Sequence, residues 1–494
     1  MKHLIDSLST TEKTFISLFL VLKLAVLIWF PLTGDEAYFI SWGDDVSLGY
    51  YDHPPVAGWA IYALSFISDN YYLYRFFAFL VSLAVSATLY QFVVAYRSRV
   101  VAFYISLVFF VSPLSLFLTI LTNDVVLVLF GFVGFYFFSS ALKKKSMTMA
   151  IAAGVFLGLA FLSKYLSVIM LSALLLYVLM NLKKDNYRLI LIMLAIVLFC
   201  VAENIYFNLN NCWNNIVFNL VARTEGSSFE PDYIALFFLS LFFLVPPQGI
   251  YLLTKANFKD SPDFIRQALY VTIIFVVIFF IVSTFKKIGL HWLALYIPFV
   301  YLLFADIQKE KLPFLLIYNA VISILVSLFL LMLSTQYNWL FEDHKNYRDL
   351  LFYTETSKIC DMLPEGEMIL TLGYTKNSIL SQHCKNNEFH VMFSMSKYGR
   401  EDDKKMSFSQ YDQKSLYIFT SSEKKVAAIR PYFNAVHISP VSLRENVSYY
   451  LIEAEGFNFE KYKTDILSNI SKNYYTPPSW LPASECEFNN KYAL

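Results

Sequence analysis

Apolar runs long enough to cross a bilayer recur through the first two thirds of the chain, and they constrain every other reading. A spanning helix needs about 20 apolar residues. Such runs lie at 14–32, 72–96, 100–119, 124–142, 147–162, 164–182, 189–206, 233–254, 267–285, 290–305 and 312–335, eleven in all. Only 16% of the 494 residues are charged, against about 25% in soluble domains. The expected fold class is therefore a polytopic α-helical membrane protein. No cleavable leader is expected, because MKHLIDSLSTTEK before the first run lacks a cleavage-site pattern.

The linkers test this count through the bias of Lys and Arg toward the cytoplasmic side. With the N-terminus inside, the inner segments 1–13, 97–99, 143–148, 183–188, 255–266 and 306–311 hold fifteen Lys or Arg. The outer loops hold five: Arg75, Lys164, Arg223, Lys286 and Lys287. Residues 336–494 lack any spanning run and alternate strand-like pieces (EMILTLGY, SLYIFT, YYLIEA) with helix-like ones (KNSILSQH, EKKVAAIRPYF). They predict a small α/β domain, on the outer side because eleven crossings invert the starting side. The expected organisation is thus a membrane domain, 1–335, whose first outer loop is 33–71, followed by an α/β domain, 336–494.

The formal net charge of +1 argues against nucleic acid as a partner, since phosphate neutralisation needs a concentrated basic face. No internal repeat supports a transporter of two inverted halves. None of the five cysteines has metal-site spacing. Cys360 and Cys384 either bridge, if their domain faces an oxidising compartment, or stay as free buried thiols. The state of Cys486 is open.

Ionisable groups at the edge of a membrane are costly and point to function, and here they gather on the outer side. The first loop carries Asp35, Glu36, Asp44, Asp45, Asp52 and His53. Asp124 enters the fourth helix, Lys164 sits in a short turn, Arg223 in an Asn-rich loop, and Lys286, Lys287 and His291 in a late turn. Two acids can divide the work of general base and electrostatic stabiliser, while Lys and Arg suit an anionic leaving group such as a phosphate. A site at the membrane edge suits a lipid-linked substrate. Structural readings compete. Asp35 and Glu36 could cap an interfacial helix, Asp124 could be an N-cap, and Lys164 could only mark a helix turn. Arg223, Lys286 and Lys287 could hold lipid headgroups, and His53 and His291 could tie loops together. Asp44, Asp45 and Asp69 read as solvated, and His344, His383, His390 and His437 as ordinary residues of the α/β domain.

Taken together, GDEAYFISWG…LGYYDHPPVAGW, LTNDVVLVLFGFVGFYFF, GLAFLSKYLSVIML and KKIGLHWLALYIPF resemble, in order and spacing, the GT-C membrane glycosyltransferases. The likeness is to the clan of protein O-mannosyltransferases, lipid A aminoarabinose transferases and lipopolysaccharide galacturonosyltransferases. It covers roughly residues 10–335, with a looser likeness in LGYTKNSILSQHC and YYLIEAEGF to the clan's periplasmic domain. It implies an inner-membrane enzyme with a polyprenyl (undecaprenyl) phosphate sugar donor and inverting transfer at the periplasmic face. Asp35 matches the catalytic acid of the first loop and Asp124 the second acid. His53 stands where the aminoarabinose transferases carry Lys before Pro-Pro, near the donor phosphate. Arg223, Lys286 or Lys287, and Lys164 would meet the phosphate, with Glu36, Tyr51, Asp52 and His291 in support.

No obligatory metal or other cofactor is expected, since no DxD-type motif stands on the outer side. The acceptor is expected to be lipid A or another lipopolysaccharide component, with protein Ser/Thr as the alternative; membrane lipids are the remaining partners and the protein is expected to act as a monomer. A lipid-linked sugar flippase would use the same cations without needing the acids. A structural or assembly protein would need only residues 336–494.

Overall fold

A computed structural model describes residues 10–181, 183–224, 226, 228–335, 345–444 and 447–494. His344 and the expected domain border at 336 lie outside the described residues. Among the described residues, five helices are long and apolar enough to cross a membrane: Tyr71–Val94, Asn123–Lys144, Lys184–Leu209, Asp263–Ser283 and Lys309–Ser334. The number rises to seven if each of two bent helix pairs is one span, and five shorter apolar helices accompany them.

Proline accounts for much of the difference between unbroken runs in the sequence and shorter helices in the structure, because it removes a helix donor and clashes with the preceding turn. The run 100–119 is two helices, Arg99–Phe110 and Pro113–Phe117, and Ser112 caps the second by accepting the Ser115 amide at 3.2 Å. The run 233–254 breaks at Pro246, and its halves, Pro231–Leu244 and Pro247–Leu253, bend by 95°. The run 290–305 opens as a 3-10 turn, Leu290–Leu293, and becomes helical at Ile297–Leu303 with Pro298 in its first turn.

The chain divides into two compact units, each discontinuous in sequence. The first comprises Met1–Phe30, Ala63–Ala202 and Ser227–Leu333. Its interior is aromatic and aliphatic: Phe132 meets Phe299 edge-to-face at 5.3 Å and Phe109 meets Tyr301 at 5.5 Å. Two cations are buried in it. Lys23 donates to the Ser115 carbonyl at 2.8 Å and its hydroxyl at 2.6 Å. Arg75 is not an outer-loop charge. It is buried within the Tyr71–Val94 helix and donates to the Leu27 and Phe30 carbonyls at 3.0 and 2.6 Å. These carbonyls end the Thr10–Trp29 helix and would otherwise lack partners.

The second unit comprises Pro31–Tyr62, Glu203–Gly226 and Ser334–Leu494. Its centre is a five-stranded sheet of order β2-β1-β3-β5-β4. Strands β1 (Met368–Thr371), β2 (Glu388–Val391) and β3 (Leu416–Thr420) run parallel, and β4 (Ala435–Arg444) and β5 (Val447–Glu455) add an antiparallel edge. The three expected strands are β1, β3 and β5, two more join them, and the unit they centre also takes in Pro31–Tyr62 and Glu203–Gly226. β2 is only four residues long and β4 carries Pro440 and exposed polar positions, so neither has a clean apolar alternation. Leu370, Ile418 and Ile452 form a core with Tyr51 from the first loop and Phe218 from the 203–226 segment. Cys360 and Cys384 are disulfide-bonded, which rules out the free-thiol alternative, and a second disulfide joins Cys212 to Cys486. Cys200 takes part in neither disulfide.

Candidate active site

The first-loop motif folds as a helix, Gly34–Asp44, opened by a capping box. Thr33 accepts the Glu36 amide at 3.3 Å, and the Glu36 carboxylate accepts the Thr33 amide at 3.1 Å. Glu36 is buried in this role, whereas Asp35, one residue earlier, is exposed. The Tyr374 hydroxyl donates to Asp35 Oδ1 at 3.1 Å. Two glycines make room for that contact. A Cβ at Gly34 would fall 2.3 Å from Thr375 Cγ2, and one at Gly399, whose φ is +68°, would fall 2.0 Å from the Tyr374 ring. The capping reading and the catalytic reading thus divide between neighbours: Glu36 caps, and Asp35 remains accessible.

One turn on, Tyr38 stands over Asp52, with its hydroxyl 3.4 Å from Oδ1. Asp52 is buried and its carboxyl is pushed up to about 7, first by loss of water, then by Glu401 and Asp35, against the pull of its own amide and of Arg223. Glu401 accepts the Tyr51 amide and pairs with Lys404 at 2.8 Å; burial raises its carboxyl and Lys404 holds it down.

The 203–226 segment clamps this loop. Asn215 donates to the carbonyls of Tyr50 and Tyr51, the latter at 3.1 Å, and Asn219 donates to the Asp52 carbonyl at 3.0 Å. Arg223 bonds Asn219 Oδ1 at 3.4 Å and lies over the Phe218 ring. The segment is fastened by the Cys212–Cys486 disulfide and by Trp213 donating to the Pro482 carbonyl at 2.8 Å. His53 is packed near Phe39 and Trp42, and its carbonyl accepts the Tyr50 amide at 2.9 Å, closing a turn. Asp44 and Asp45 are exposed.

The structure therefore gathers Asp35, Asp52, Glu36, Tyr51, His53 and Arg223 in the sheet unit and joins them to Tyr374, Tyr38 and Glu401, which were not singled out. Tyr38 lies inside the first-loop motif itself. Tyr374 and Glu401 lie more than 300 residues away in sequence, and no local spacing points to them.

The membrane unit holds the remaining residues. Lys164 donates to both carboxylate oxygens of Asp124, at 2.8 and 3.0 Å, and both side chains are buried. Asp124 stands in the first turn of the Asn123–Lys144 helix, while the N-cap position itself belongs to Thr122. The Tyr296 hydroxyl donates to the Leu166 carbonyl, fixing the turn that carries Lys164. Lys286 is half-buried and Lys287 and His291 are exposed in the turn after the Asp263–Ser283 helix.

Residues 52–207 match the profile of the dolichyl-phosphate-mannose-protein mannosyltransferase family. A curated relative, the lipid A galacturonosyltransferase RgtD of Rhizobium johnstonii, is 26% identical over 134 residues. That alignment covers 26% of this chain and 28% of the relative, less than a third of either. The fold extends the likeness across the molecule. ArnT from Cupriavidus metallidurans in the apo state matches with a TM-score of 0.64 at 12% identity, over 89% of this chain and 97% of that one. The undecaprenyl-phosphate-bound form of the same protein matches with a TM-score of 0.62 at 13% identity, over 90% and 98%. The profile spans less than a third of the chain, and the structural likeness shows a fold shared with ArnT over most of both chains.

Proposed function

We propose that this protein moves a sugar from a polyprenyl phosphate to an envelope glycolipid, lipid A or another lipopolysaccharide component, at the periplasmic face of the bacterial inner membrane. The observation that carries the reading is Asp35, an exposed carboxylate at a helix start, oriented by Tyr374 beside the buried Asp52. Asp35 takes the proton of the acceptor hydroxyl as that oxygen attacks the anomeric carbon from the face opposite the phosphate. The bond from carbon to phosphate oxygen breaks, the configuration inverts, and the polyprenyl phosphate leaves as an anion. Arg223, held by Asn219 and Phe218, is the cation of the sheet unit suited to that charge. In the membrane unit we assign Lys286 and Lys287 to the donor phosphate. Lys164 holds Asp124 in place through both of its carboxylate oxygens. Two disulfides in the sheet unit suit an oxidising compartment.

The test is purified Asp35→Asn in nanodiscs with a polyprenyl-phosphate sugar and lipid A. Transfer should fall by ~10²–10³ while the thermal unfolding profile stays unchanged; turnover near wild type would sink the assignment. Transfer to protein Ser/Thr is the second reading, favoured by the protein mannosyltransferase profile over 52–207. Mass spectrometry of lipid A and of envelope proteins, with and without the gene, separates the two.

A further inference from the structure

The membrane unit contains a cavity of about 790 Å³ at the end of the bundle away from Asp124. The Asn123–Lys144 helix carries Asp124 in its first turn and Lys143 and Lys144 in its last, about 30 Å apart at 1.5 Å per residue. Five basic side chains line the cavity, Lys143, Lys144, Lys145, Lys183 and Arg266, against two carboxylates, Asp185 and Asp263. The carboxylates are engaged. Asp185 pairs with Lys145, and Asp263 pairs with Arg266 and, at 3.6 Å, with Lys183. Lys143 and Lys144 have no carboxylate partner among the described residues. Their place in a last helical turn satisfies part of their charge and leaves the rest for a ligand.

A buried donor faces the same space. Gln267, 2% exposed, accepts the Ser139 hydroxyl at 2.5 Å through Oε1. Gln267 lines the cavity, and its amide nitrogen has no protein acceptor among the described residues. Phe92, Tyr136, Val178 and Ile190 form the apolar part of the wall. A site with surplus cations, a buried N–H donor and an apolar flank at a membrane edge matches an anionic headgroup with an attached tail.

We propose that this cavity binds one lipid phosphate, a phosphodiester or phosphomonoester on a hydrophobic tail, at the end of the membrane unit opposite Asp124. The reading is independent of the transferase assignment, because it is tested by binding alone. Native mass spectrometry of the full chain in zwitterionic detergent, titrated with phosphatidylglycerol, should show one lipid retained above background. Arg266→Gln and the pair Lys143→Gln/Lys144→Gln should each weaken retention on the order of tenfold, and Arg266→Lys should stay within about threefold of wild type. Lys309→Gln, an exposed cation outside the cavity, should leave retention unchanged. Phosphatidylcholine should not compete. Equal weakening by Lys309→Gln, or equal retention by all variants, would overturn the site. Full displacement by millimolar inorganic phosphate would overturn the lipid assignment in favour of a free anion.

Discussion

Two buried acid sites of this molecule are built on opposite plans. Asp124 has a lysine donating to both of its oxygens, so its charge is answered within the fold. Asp52 is buried next to Glu401 and close enough to Asp35 to feel its charge, with Arg223, its own amide and the Tyr38 hydroxyl on the other side of the balance. A fold that needed only stability would not crowd carboxylates; neutral side chains of similar shape do better. Perturbed acids beside an accessible one mark a place where protons move, whereas a satisfied pair marks a place where geometry is held.

The contrast can be broken by substitution, and the largest effect belongs to the pair. Lys164→Met leaves the Asp124 carboxylate buried without its partner and should destabilise the protein by about 3–5 kcal/mol. The double variant Asp124→Asn/Lys164→Met should recover much of that loss, as read from thermal unfolding in detergent; equal losses in the single and double variants would show that the pair has no coupling. Asp35→Asn comes next, with the ~10²–10³ loss of transfer described above and no change in stability.

Asp52→Asn sharpens the comparison through pH. The folded-state carboxyl lies near 7 and the ordinary value is 3.8, so the folded protein holds a proton that the unfolded chain has released between those limits. Stability therefore falls as pH rises from about 4 to 7. The full displacement corresponds to about 4 kcal/mol. Asn removes the ionisation, and recovering about half of it, roughly 2 kcal/mol at pH 8.5, is the expected result. At pH 4 wild type and variant should differ little. A variant that loses stability equally at both pH values would show that Asp52 is held by its contacts alone. The smallest effect is Tyr374→Phe, which removes one hydrogen bond to Asp35 worth about 0.5–1.5 kcal/mol. Transfer should drop up to about tenfold while the helix Tyr374–His383 stays packed.

Much of this was legible in the chain because membrane helices announce themselves by length and apolarity. The runs at 72–96, 124–142 and 312–335 fall within a few residues of helices Tyr71–Val94, Asn123–Lys144 and Leu312–Thr335. Apolarity does not register a bend, so Pro113, Pro246 and Pro298 had to supply the breaks. Asp35 was readable from a local motif whose capping chemistry is encoded within four residues. The distant partners of Asp35 and Asp52 were not. Tyr374 and Glu401 reach the loop through sheet-unit packing between segments far apart in sequence, and a buried Glu in a stretch like YGREDDKK reads as a solvated charge. Arg75 was misplaced for a related reason: a charge near a helix start looks like loop until its acceptors, two carbonyls of another helix, are known.

The Cys212–Cys486 disulfide has a consequence for how the protein is made. Its halves are 274 residues apart, so at 5–20 residues per second the first thiol waits about 14–55 s for its partner to be synthesised. During that interval Cys360 and Cys384 emerge first, and an oxidised dithiol catalyst, taking up the two electrons, can join either of them to Cys212 in place of its partner. Correct maturation therefore depends on timing: the short-range bridge must close early enough to leave the long-range cysteine unclaimed. Biogenesis of the clamp over the acid cluster is then a question of oxidative quality control, and conditions that delay the first bridge should yield full-length but mispaired protein.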